Sequence, residues 1–93
     1  MIIGTLIVEL NLPGVDSLKE KRRRIKSLIK RLQNKFNLSI AEVDYNDTHR
    51  MACLGAAVVS NDKKFIDQVI AKIVRMIENE PEMILTDYRV EIL

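Results

Sequence analysis

Six apolar stretches, whose repeat switches between two residues and about 3.6, limit this 93-residue chain to very few folds. The first, IIGTLIVELNL at 2–12, alternates and is rich in β-branched and aliphatic residues, so it predicts a strand. Leu6, Val8, Leu10 and Leu12 point to one side, and Ile3, Thr5, Ile7 and Glu9 to the other. Pro13 and Gly14 end it. Ser17 and Glu20 then form an S-x-x-E capping box. Behind it Leu18, Ile25, Leu28, Ile29, Leu32 and Phe36 recur at helical spacing, and Asn37 is a fitting stop. LSIAEVDY at 38–45 and MACLGAAVV at 51–59 read as two strands joined by the polar hairpin loop NDTHR. Ser60, Asn61 and Asp62 offer caps for a second helix, which carries Phe65, Ile66, Val69, Ile70, Ile73, Met76 and Ile77 inward and stops before Pro81. MILTDYRVEIL at 83–93 is a fourth strand, with Ile84, Tyr88, Val90 and Ile92 expected on one face.

The order βαββαβ, with right-handed crossovers, places the first and third strands side by side in the middle of the sheet. The expected fold is therefore an α+β ferredoxin-like sandwich: a four-stranded antiparallel sheet with two helices on one face. It forms a single domain over residues 1–93, too short for two cores. A lone cysteine, Cys53, rules out an internal disulfide framework and fits a reducing compartment. The apolar N-terminal stretch lacks a basic leader and a small-residue cleavage site, so it reads as a strand and not as a signal peptide. No run approaches the roughly 18 apolar residues of a membrane span. The expected location is the cytoplasm, with no membrane partner.

Charge is distributed unevenly. Residues 17–36 carry nine Lys and Arg against one Glu, a balance of +8; the rest carries six against twelve, a balance of −6, leaving +2 overall. Such a split points to an anionic partner or to association through opposite charges.

SLKEKRR at 17–23, FNLSIAEVDYND at 36–47 and LGAAVVSND at 54–62 resemble the small bacterial YlxP-like family, over nearly the whole chain including the LPG turn. The resemblance implies a ferredoxin-like fold and carries no established activity. Members of that family are often encoded beside transcription and ribosome-maturation factors, which implies a link to RNA or the ribosome.

The first helix is the leading candidate site. With Ile25 inward, Lys19, Arg23, Lys26 and Lys30 cluster on the outer face, and Arg24, Arg31 and Lys35 form a row on one flank. Apart from Glu20, which serves the cap, no acid is interspersed to pair them. The expected partner is RNA or the ribosome, met through phosphates and not bases. Seven neutralised phosphates would make log K fall with log salt at about −6 on a duplex or about −5 on single strands. The alternative is a protein-interaction module, its basic helix meeting an acidic partner and its open sheet face meeting another copy. For that interface the expected residues are Ile3, Ile7, Cys53, Val59 and Leu85, edged by Glu9, Glu42, Asp44, Asp87, Arg89 and Glu91. The two central strands carry no aromatic residue, which argues against base stacking on the sheet.

Catalysis is not expected. The loop NLPGVDS lacks the phosphate-cradling Arg by which acylphosphatases of this topology resemble one another, and the cysteine pair of metal-transfer proteins. No Ser or Cys has a neighbouring base. Asp44, Asp47 and His49 spell D-x-x-D-x-H, but in a loop of turn-formers, so no metal and no cofactor is expected. No small-molecule substrate is evident. An anionic effector at the start of the first helix is a lesser expectation, and only for a dimer.

Overall fold

A computed structural model describes residues 1–93. The elements are β1 (Ile2–Asn11), α1 (Leu18–Lys35), β2 (Ser39–Asp44), β3 (Met51–Ser60), α2 (Lys63–Glu78) and β4 (Ile84–Ile92). The sheet order is β2-β3-β1-β4, and every neighbouring pair is antiparallel. This is the ferredoxin-like arrangement: β1 and β3 are central, and both helices cover one face.

The core lies between that face and the helices. Leu6, Val8 and Leu10 of β1 and Ala52, Leu54, Ala56 and Val58 of β3 meet Ile25, Leu28 and Leu32 of α1 and Ile66, Ile70, Ile73, Val74 and Ile77 of α2. Gly4 sets how closely α2 can approach. A Cβ there would fall 2.3 Å from Cγ2 of Ile66 and 2.9 Å from Cδ1 of Ile70, well inside contact distance. Phe65 departs from the expected stripe and is exposed. It sits about a third of a turn from the centre of the buried face, in the first turn of the helix.

Two β-bulges shift what strict alternation assigns. In β4 the register slips between Glu9 and Leu10, so that Glu9 faces Asp87 while Leu10 faces Leu85. Thr86 is the extra residue, and its hydroxyl donates to the Glu9 carbonyl at 3.1 Å. Leu85 is thereby turned to the helix side, where it packs against the core. Its expected place on the open face is corrected: Ile84 holds that position, 52% exposed, opposite Asn11. The second bulge skips Val43 in β2. Glu42 and Asp44 would share a face under alternation, and here they part. Asp44 pairs with Cys53 on the open side, and Glu42 pairs with Leu54 on the helix side.

Glu42 is turned inward to meet Lys21. Lys21 lies on the core side of α1 with a relative exposure of 0%. Its ammonium donates to the carbonyls of Tyr45 and Thr48, the latter at 2.7 Å, and lies 2.7 Å from Oε2 of Glu42. That oxygen accepts no other hydrogen bond and is out of line for one from Lys21, so the contact is an ion pair. The two carbonyls take two of the three ammonium donors, and the carboxylate balances the charge. Tyr45 adopts φ 60, a left-handed conformation that turns its carbonyl toward the lysine end of the helix.

Two outcomes follow. Leu85→Ala should cost about 2 kcal/mol in urea denaturation, whereas Ile84→Ala should cost about 0.5 kcal/mol or less; the reverse order would mean that β4 runs on without its bulge. Lys21→Met should cost about 3 kcal/mol, because it strands two carbonyls and a carboxylate. A loss below about 1 kcal/mol would show that water satisfies the hairpin instead.

Candidate nucleic-acid interface

Helix α1 begins as its sequence dictates. The Ser17 hydroxyl accepts from the Glu20 amide at 3.1 Å. Glu20 reaches back one residue further than a simple capping box, accepting from the Asp16 amide at 3.4 Å. Its other oxygen accepts from Arg24 at 2.9 Å. The Asp16 amide first, and then the Arg24 guanidinium, hold Glu20 below the ordinary carboxylate range. The acid assigned to the cap thus serves both the cap and a cation one turn on.

Eight of the nine cations of this segment fall into three groups, and Lys35 stands apart from them. Lys21 is buried in the hairpin clamp. Arg24 and Arg31 are paired. Arg24 also bonds Glu82, and Arg31 grips Glu80 through two bonds of 2.8 and 2.6 Å. Both guanidiniums are pushed above their ordinary range, chiefly by the bonds to Glu82 and Glu80 respectively. These acids come from the short segment between α2 and β4, where Glu82 holds φ 64. The third group is free. Lys19, Arg23, Lys26 and Lys30 are exposed and make no ion pair, and neither does Arg22 beside them.

The expected outer face is therefore assembled as a single stripe. The expected flank row divides: Arg24 and Arg31 are occupied, and only Lys35 is unpaired by acid, its ammonium 5.9 Å from the Phe36 ring centre. Lys35 lies at a hollow of about 610 Å³ between the ends of α1 and α2, lined also by Arg31, Lys72 and Arg75, with Glu80 as its one acid. Sequence reasoning passed over Arg22 and Lys72. Arg22 had a signal, since its helical angle falls beside Lys26. Lys72 had none without knowing where α2 packs.

The open sheet face holds Ile3 and Ile7, half-buried, and Val59, 55% exposed. Cys53 is covered, and burial, followed by the charge of Glu9, pushes its thiol up and keeps it protonated. No three His, Cys, Asp or Glu side chains converge as a metal site. No helix is long and apolar enough to cross a membrane.

Comparison with known proteins fits the sequence resemblance. An uncharacterized protein of Bacillus subtilis (strain 168), YlxP, is 36% identical over 90 residues, covering 97% of this chain and 98% of that protein. A family described as protein of unknown function (DUF503) matches residues 3–90. With relatedness spanning every element from β1 to β4, the chain belongs to this DUF503 family, the family of YlxP.

Proposed function

We propose that this is a non-catalytic RNA-binding protein of the cytoplasm, associated with the ribosome or its precursors, that grips phosphates with the outer face of α1. The observation that carries the reading is the run Lys19, Arg23, Lys26 and Lys30, joined by Arg22, all exposed and without an acid partner on a helix otherwise well compensated. From Lys19 to Lys30 the stripe extends about 16 Å along the axis, long enough to follow several successive phosphates. Like charges at helical spacing repel one another, and a polyanion removes that cost. The cationic hollow at Lys35 and Lys72 continues the surface toward α2. Such contacts fix position and affinity without reading sequence.

Division of the cations changes the expected salt dependence. The five free charges of the stripe predict a slope of log K on log salt of about −4.5 on duplex RNA, shallower than the value for seven. Fluorescence anisotropy with labelled duplex and single-stranded RNA measures it. Reversing Arg23 and Lys26 together, R23E/K26E, should weaken all RNA sequences alike and flatten the slope by about 2. A changed sequence preference at unchanged affinity would sink the phosphate reading. A slope shallower than about −2 in the unaltered protein would favour an acidic protein partner.

The acids at 80 and 82 supply a second test. Glu80→Gln with Glu82→Gln releases Arg31, leaves Arg24 on Glu20 alone, and should steepen the slope by about 1. An unchanged slope would mean that RNA does not reach this flank. Sedimentation with ribosomal fractions, with and without RNase, checks the cellular association; protein that remains free at low salt would count against it.

A further inference from the structure

Strand β4 is the long free edge of the sheet. The opposite edge, β2, is six residues long and broken by its bulge. Beyond the bulge at Thr86, β4 runs unbroken from Asp87 to the end of the chain, with Leu93 still exchanging both backbone bonds with Ile3. That exchange sets the phase of the strand. Leu93, Glu91, Arg89 and Asp87 turn their backbone groups toward β1, and Ile92, Val90 and Tyr88 turn theirs outward, unpaired. Tyr88 and Val90 also leave apolar side chains 48% and 45% exposed, beside a groove of about 350 Å³ under α2. An edge of this length and character is a template for another strand.

The charges on this edge indicate which strand. On its open face β4 carries Asp87, Arg89 and Glu91, and none of them has an ion-pair partner within the chain. Against an antiparallel copy of itself, the regular stretch 87–93 is centred on Val90. Arg89 then faces Glu91 of the other copy, twice over, and Tyr88 faces Ile92. A centre at Arg89 or Asp87 would set like charges against each other. A centre at Tyr88 would pair Asp87 with Arg89 but would carry both strands across their bulges.

The same dyad suits α2. Asp67, Ala71, Arg75 and Glu78 of that helix line the groove with Tyr88 and Val90. Reversed about Ala71, Asp67 meets Arg75, and Lys64, one turn earlier, meets Glu78. Asp67 is held within the chain only by the exposed Lys63, at 2.8 Å.

We infer that two copies of this chain associate through β4, antiparallel about Val90, into a continuous eight-stranded sheet with the two α2 helices flanking the dyad. The interface differs from the open sheet face and leaves α1 untouched, so it stands or falls apart from RNA binding.

Sedimentation equilibrium of the full chain tests it, with thermal melting as the check on folding. The unaltered protein should dimerise. R89E sets acid against Glu91 at both pairs and should raise the dimer dissociation constant by at least about tenfold, as should E91R alone. R89E/E91R exchanges the charges and should restore the dimer. A monomeric wild-type protein would overturn the proposal, as would a dimer indifferent to R89E and E91R but broken by Val59→Lys. Rescue of R89D by D87R, with none from R89E/E91R, would overturn the Val90 register.

Discussion

Burial of the Lys21 ammonium fixes the rotation of α1 about its own axis. The side chain is wholly covered and is held by the hairpin carbonyls of Tyr45 and Thr48 and by Glu42. A charge removed from water must keep its partners, so the helix cannot turn without breaking all of these contacts. The helical positions diametrically opposite Lys21 are those of Arg23, Lys26 and Lys30. One buried cation thus aims the exposed ones outward. Glu42 reaches the clamp by regular alternation from Ile40, and the β2 bulge beyond it sends Asp44 to the open face instead.

Compensation of the remaining charge is local. Glu80 and Glu82 neutralise the flank of α1 nearest the α2–β4 connection, and no acid reaches the outer face. Pairs this exposed contribute little to stability and weaken in salt. Their larger effect is on the surface potential: they confine the basic field to one stripe and the hollow beside Lys35. A ligand rich in phosphate would meet that stripe first. To gain more, it would have to compete with the carboxylates of Glu20, Glu80 and Glu82 already in place.

Periodicity carried the fold because each apolar stripe has one face to bury. The stripes on α1, β1 and β3 read directly from spacing, and so did the sheet order. The bulges were illegible. An extra residue such as Thr86 or Val43 reverses the parity of everything beyond it, and no local composition marks either one. Leu85 was misplaced for this reason, and Glu42 and Asp44 were given one face because the extra residue Val43 between them was not seen. Lys21 was readable in principle, since it falls within the apolar stripe between Leu18 and Leu28 and a lysine there must find oxygens. The pairing of Arg24 and Arg31 was not readable, because Glu80 and Glu82 lie some fifty residues away and reach α1 only through the packing of α2.

The two proposed surfaces occupy opposite ends of one architecture. Helix α1 lies over the β2 side of the sheet, and α2 lies over β1 with its groove toward β4. Pairing through β4 would keep both α1 helices on the same side of an eight-stranded sheet, at its two outer ends. At the usual strand spacing their axes would be roughly 30 Å apart. Each basic stripe would then be the second site for an RNA already held by the first. Two modest electrostatic grips, joined by a rigid sheet in place of a flexible linker, raise the effective concentration of the second contact without any new chemistry. A short helix with few free cations would in this way hold a long polyanion, provided that the polyanion can span both ends.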